Sequence, residues 1–353
     1  MSRLSKRVKE MFQSGRIQPD YLKQLNSSEM PDWVRSIVND LSTLVREPRY
    51  GDITGNNYIM SGTKKILFIV DGMAGSFEIL KEKAIETRDV LIDRLAKTAS
   101  CNLLYPDETF KIKLNADTFY FYFQKMKYCI KGDLWGEIFE RKKTDQMKLF
   151  YDIGKTLVKL HKLNVYPIDI KPENTLLCTC KGQEVFVLAD LDDSVLSDKP
   201  FDRKNIMVTS GYSSAILFNE DFKKLPTRMI LEYTDWHAFS QMLLQYYTGG
   251  EYDVAEFRPS EKSIINSIKK NVISRNTDIR TRLLVNAALL LADRDEVANY
   301  AQEARNLTNS QYSQYIARRL APKNIAAVQA ANARMYKFFS DKPFYEKFIK
   351  LLF

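Results

Sequence analysis

The first third of the chain reads as short apolar runs broken by turn residues. Residues 57–61, 65–70 and 76–81 have strand length and are rich in β-branched and aromatic side chains. Gly62 and the Asp71-Gly72 pair mark turns between them. Residues 83–98 place Ala84, Val90, Leu91, Leu95 and Ala96 on one helical face. Two more strands are predicted near 109–114 and 118–124, with Asn115-Ala116-Asp117 as their turn. The run Phe119-Tyr120-Phe121-Tyr122-Phe123 suits a strand because aromatic side chains pack well on a pleated surface.

From Asp133 onward the pattern is mainly helical. The exception is a pair of short strands, 175–177 and 185–188, around a turn at 178–182. Residues 260–353 predict several helices, and residues 1–48 predict short ones. In the latter, Arg3, Leu4, Arg7, Val8, Met11 and Phe12 form a short apolar stripe with basic neighbours, which suits a docking helix better than a membrane-surface helix. No repeat or low-complexity linker interrupts the chain. The fold class expected is α+β, with a helical extension at 1–48, a small β-rich lobe at 49–126 and a large α-rich lobe at 127–353. The last lobe is expected to carry divergent helices from about residue 256.

Composition narrows the function. The 353 residues are 45% apolar and 12% aromatic, enough for a large core and against disorder. No run approaches the ~18 apolar residues of a transmembrane helix, and the basic N-terminus lacks the apolar stretch of a secretory signal. Four cysteines, Cys101, Cys129, Cys178 and Cys180, show no framework spacing, so thiols in a reducing, cytoplasmic compartment are expected. Only His161 and His237 exist, which argues against His-based metal chemistry and a Ser-His-Asp triad. Net charge +9 favours phosphorylated or other acidic partners.

The chemistry concentrates in Ile168-Asp169-Ile170-Lys171-Pro172-Glu173-Asn174, followed by Leu188-Ala189-Asp190-Leu191-Asp192 at the end of a strand. A carboxylate here suits a base for a hydroxyl nucleophile, and an ammonium neutralises a phosphate. Asn and Asp oxygens are the hard ligands magnesium takes while it bridges nucleotide phosphates.

These residues resemble the protein kinase superfamily. Pro167 to Asn174 resembles its His-Arg-Asp-Leu-Lys-Pro-Glu-Asn catalytic loop, and Leu160-His161 the end of the preceding long helix. Residues Lys127 to Leu134 resemble the hinge. Asp190-Leu191-Asp192 stands at the Asp-Phe-Gly position, and Thr209-Ser210-Gly211-Tyr212 resembles the end of the activation segment. Thr234-Asp235-Trp236-His237 resembles the start of the helix whose Asp anchors the catalytic loop.

The resemblance covers residues 50–255 and implies ATP- and magnesium-dependent phosphoryl transfer to Ser or Thr of a protein. It implies Asp169 and Lys171 as catalytic residues, Asn174 and Asp190 as metal ligands, and Thr209 as a partner of the base and the lysine. Nucleotide contacts are expected from Gly62, Lys81, Met126 and Tyr128, with Glu86 pairing with Lys81. Lys65 and Lys83 compete with Lys81, and Asp89 and Asp93 with Glu86.

The pattern also departs from the family. Ile168 replaces the Arg that reads an activation-loop phosphate, Asp192 replaces the Gly of Asp-Phe-Gly, and Ser214-Ala215-Ile216 stands at Ala-Pro-Glu. No Gly-x-Gly-x-x-Gly is present; Ser61-Gly62-Thr63-Lys64 is the best phosphate-covering turn, and residues 72–77 fit better as a turn between the second and third strands. Such erosion resembles kinase-like effectors that bacteria such as Legionella deliver into a host cytosol, or large DNA-virus kinases. Basic clusters at 141–143, 223–224, 269–270, Arg280 with Arg282, and 318–319 suggest an inositol phosphate or phosphoinositide regulator. The rivals are a pseudokinase scaffold and a kinase-fold enzyme that transfers AMP. A small-molecule or lipid kinase and a nucleic-acid-binding module follow behind.

Overall fold

The structure is a computed structural model. It describes residues 30–36, 58–61, 65–70, 73–113, 119–129, 132–134, 147–200, 206, 208–209, 212–217, 225–250, 266, 268, 279–291 and 325–340. The chain is mixed α and β and divides into two compact units: Met1–Ile92 with Tyr105–Tyr128, and Asp93–Leu104 with Cys129–Phe353. Residues 93–104, read from the sequence as part of the first lobe, therefore belong to the second unit. Most of the 1–48 extension and of the region from 256 lies outside the described residues.

The first unit is built on a five-stranded antiparallel sheet. Its strands are β1 (Tyr58–Ser61), β2 (Lys65–Val70), β3 (Met73–Lys81), β4 (Glu108–Lys113) and β5 (Phe119–Lys127), in the order β1-β2-β3-β5-β4. Residues 73–77 are not a turn; they begin β3, with Gly75 opposite both Phe68 and Lys125. Helix α1 (Glu82–Lys97) follows β3 directly. Its buried stripe is Ile85, Arg88, Leu91 and Leu95, whereas Ala84 and Ala96 are exposed. The stripe differs from the apolar count because a charged residue, Arg88, is buried within it against Glu78 of β3 at 3.3 Å.

The second unit packs α2 (Met147–Lys162), α3 (Thr227–Thr248), α4 (Ile279–Leu290) and α5 (Ile325–Ser340). Residues 230–246 of α3 are all buried, so this stretch forms the centre of the core, while Arg228 and Tyr247 near its ends are exposed. Trp236 of α3 stacks on Phe339 of α5 with centroids 5.5 Å apart. Gly154 lets α5 approach α2, since a Cβ there would overlap the Phe339 ring. Two small sheets complete the unit: β6 (Val165–Tyr166) with β9 (Val195–Leu196), and the hairpin β7 (Thr175–Cys180) with β8 (Gln183–Leu188).

The hairpin strands are longer than the sequence pattern suggests. The turn is only Lys181-Gly182, both with positive φ (50° and 78°), as a tight hairpin requires. Cys178 and Cys180 consequently lie on a strand. Cys180 forms a disulfide with Cys101, which corrects the expectation of four thiols; Cys129 and Cys178 remain as buried thiols. The pairing was invisible in the spacing because 79 residues separate the two partners.

Candidate active site

The site lies in the second unit, on the loop between β6 and β7. Ile168 is buried and takes a left-handed backbone (φ 55°), an unfavourable conformation for a β-branched residue. It is held there because its N–H donates to Asp235 Oδ1 at 2.8 Å, the anchor expected of Asp235. The next N–H, of Asp169, bonds back to Pro167 O at 2.7 Å. A 3-10 turn, Pro172–Asn174, then closes the loop, and the Thr175 hydroxyl donates to Lys171 O at 3.0 Å.

This bend presents the Asp169 carboxylate to three donors. Oδ2 accepts from Lys171 Nζ (2.8 Å) and Asn174 Nδ2 (3.1 Å), and Oδ1 accepts from Thr209 N–H (2.8 Å). Lys171 Nζ also donates to Thr209 Oγ1 at 2.7 Å. A carboxylate offers about four lone-pair sites, so Oδ1 retains capacity for one more donor, such as a substrate hydroxyl. Asp169 and Lys171 are each about one-fifth exposed, at 20% and 21%, which leaves them open to such a molecule.

Asp190 joins this group through the backbone. Ala189 N–H donates to Asn174 O at 2.8 Å, and the following residue, Asp190, is exposed and left-handed (φ 52°). Asp192 lies half-buried in the 3-10 turn Leu191–Asp193. Asn174 commits its amide nitrogen to Asp169, which leaves its carbonyl oxygen as the ligand end. That oxygen and the Asp190 carboxylate suit a hard cation such as magnesium, which takes its remaining ligands from phosphates and water. Among the described residues, no group of three His, Cys, Asp or Glu side chains could hold a metal by itself.

Behind the loop, the buried Asp235 carboxyl meets His161 Nε2 at 2.8 Å. Burial pushes this carboxyl above the usual range, and the bonds from His161 and Ile168 draw it back down. Tyr212 is buried and donates to Gln245, while its carbonyl oxygen lies 2.8 Å from His237 Nδ1.

The nucleotide contacts expected from the sequence belong to the first unit. Gly62 lies outside the described residues. Met126 is opposite Ala74 on β5, and Tyr128 follows that strand. Lys81 sits at the exposed end of β3 and Glu86 at an exposed position of α1. An ion pair between β3 and α1 joins Glu78 with Arg88, both buried. Lys81 is three positions beyond Glu78, and strand alternation assigns those two positions to opposite faces of the sheet. Lys65 holds the register position opposite Glu78 on β2, and Lys83 is exposed on α1.

Of the basic clusters, only Arg280 and Arg282 fall among the described residues, on α4. The sequence reading missed Glu232, Arg228 and Tyr336, which surround His161 and Asp235. Their one sequence signal is an arginine and a glutamate four residues apart on α3.

Compared with known protein families, the chain matches no family model, and no curated protein matches it. Among the described residues, no helix is long and apolar enough to cross a membrane.

Proposed function

We propose that the protein is a divergent two-lobed protein kinase that transfers the γ-phosphoryl group of ATP to Ser or Thr of a protein. The observation that carries this reading is Lys171 Nζ bridging Asp169 and Thr209 beside Asn174. The strand order of the five-stranded sheet, with a helix between its third and fourth strands, supports it as well.

In this mechanism Asp169 accepts the proton of the substrate hydroxyl as its oxygen attacks the γ-phosphorus. The bond from that phosphorus to the β,γ-bridging oxygen breaks, and ADP leaves. Lys171 holds the transferring phosphoryl group and neutralises its charge. Thr209 fixes the lysine and, through its N–H, the base. Asn174 and Asp190 would hold magnesium, which would offset the charge of the nucleotide phosphates.

One observation favours a second reading, a scaffold that transfers nothing. In kinases a strand lysine pairs with a helix glutamate and reaches the α- and β-phosphates. Here the strand carries the acid, Glu78, and the helix the base, Arg88.

The test follows label from ATP labelled in the γ- or the α-phosphate, with magnesium and an acceptor protein. Asp169→Ala and Asp190→Ala serve as controls, each with and without an inositol polyphosphate. Transfer from the γ position alone, lost in both variants, is the expected result. Label from the α position means AMP transfer. Nucleotide binding without transfer of either label favours the scaffold.

A further inference from the structure

A continuous chain of polar groups, buried at Asp235, His161 and Glu232 and part-buried at Tyr336, joins the catalytic loop to α5. Asp235 takes the Ile168 N–H on one oxygen and faces His161 Nε2 with the other. The second ring nitrogen, Nδ1, lies 3.1 Å from the Tyr336 hydroxyl of α5. That hydroxyl donates to Glu232 Oε1 at 3.2 Å, where Arg228 Nε also donates at 2.8 Å. Asn332 of α5 steadies the turn below, donating to Met229 O at 3.0 Å.

Counting hydrogens points to a proton on each nitrogen of the histidine. A tyrosine hydroxyl has one hydrogen and two lone pairs. Given to Glu232, that hydrogen is not available to His161, so Nδ1–H must donate to the Tyr336 oxygen. Nε2 faces a carboxylate and donates to it. The reverse arrangement, with Tyr336 donating to Nδ1, would set its oxygen against a Glu232 carboxylate oxygen with no hydrogen between them.

His161 is then an imidazolium, and the charges alternate: Arg228 positive, Glu232 negative, His161 positive, Asp235 negative. Alternation offsets the cost of burying Glu232, His161 and Asp235, which is severe for an unpaired ion, while Arg228 reaches solvent. The remaining neighbours suit a cation. Tyr166 of β6 stacks on the ring with centroids 4.9 Å apart, and Trp236 meets it edge-on at 5.2 Å. Burial pushes the hydroxyls of Tyr336 and Tyr166 upward, so both stay protonated.

We propose that Tyr336, acting through a doubly protonated His161, is a positioning residue for Asp169. Its hydroxyl fixes the imidazolium, the imidazolium fixes Asp235, and Asp235 holds Ile168 in the left-handed turn that aims Asp169. Helix α5, 167 positions beyond Asp169 at Tyr336, thereby belongs to the catalytic apparatus. The role of Asp169 itself rests on the kinase reading; the holding of the loop does not.

The 353-residue chain has two histidines, so ¹⁵N-histidine NMR resolves His161 once His237→Asn assigns the other signal. The expected wild-type spectrum shows protons on both His161 nitrogens. Tyr336→Phe keeps the ring but removes the hydroxyl, and should leave His161 neutral. Hydrogen exchange of the Ile168 amide should then rise roughly tenfold, the scale of one bond to a charged group. Where phosphoryl transfer is measurable, kcat should fall by a similar factor with KM for ATP unchanged. A neutral His161 in the wild-type protein overturns the proposal, as does an unchanged His161 spectrum and Ile168 exchange in a folded Tyr336→Phe variant. Both readouts hold even if the protein transfers no phosphate, which separates failure of this proposal from failure of the kinase reading.

Discussion

Thr209 accepts a hydrogen bond from Lys171 Nζ at 2.7 Å through its hydroxyl and donates one to Asp169 through its N–H. One residue therefore holds both Asp169 and Lys171. Thr209→Val keeps the shape and the N–H but deletes the hydroxyl. We expect phosphoryl transfer to fall about tenfold, with a stability loss near 1 kcal/mol, the usual worth of one hydrogen bond. Steady-state kinetics beside urea unfolding checks this. A stability loss with unchanged transfer would mean that Lys171 is held without Thr209.

Asp235 is fully buried between the Ile168 N–H and His161 Nε2. Asp235→Asn removes the charge and can aim an amide nitrogen at His161 or at the Ile168 N–H. Breaking a buried charged pair costs about 3–5 kcal/mol, so the unfolding midpoint should drop steeply. Asp235→Asn with wild-type stability would remove this residue from any anchoring role.

Arg94 grips Asp198 with two hydrogen bonds, at 2.8 and 2.6 Å, and also donates to Leu163 O. The bonds from Arg94 hold the Asp198 carboxyl below its usual value of 3.8. A lowered acid contributes stability that is present above pH 3.8 and lost as pH falls through its folded value. Asp198 is 42% exposed, so solvent screening keeps the contribution below about 1 kcal/mol. Asp198→Asn should therefore melt slightly lower than wild type at pH 6, and the difference should vanish near pH 2. A gap that widens in acid would reverse the sign and exclude this pair as its cause.

The Cys101–Cys180 disulfide ties residues 101–104 to the β7–β8 hairpin, whose two ends lead to Asn174 and Asp190. Leu104 N–H also bonds Leu188 O, and Leu188 N–H bonds Asn102 O, so the segment is held twice. Reduction, or the double change Cys101→Ser with Cys180→Ser, should lower stability by about 2–4 kcal/mol. Free-thiol titration gives a direct count, with two reactive thiols expected in the unfolded, unreduced protein. Four would show that the bridge does not form.

Residues close in sequence were legible because one local rule governs them. Asp169, Lys171 and Asn174 fall within six positions, so a single tight turn brings them together whatever surrounds it. The five strands of the first unit were legible for the same reason: apolar runs and turn residues mark them directly. Errors arose where burial overrode pattern. Small residues at Ala74 and Gly75 looked like a turn, yet two neighbouring strands capture them as β3. Arg88, which no apolar pattern marks, is buried in α1 because Glu78 of β3 faces it.

By itself, the sequence determined the order of elements and the loop carrying the candidate chemistry, since both depend on spacing within a few residues. Tertiary structure alone decided which distant groups share a proton or a charge. His161 meets Tyr336 across 175 positions, Asp235 meets Ile168 across 67, and Cys101 meets Cys180 across 79. No periodicity encodes such partners. They follow from which buried polar atom has an unmet donor or acceptor once the apolar faces have packed, and from the cost of leaving it unmet.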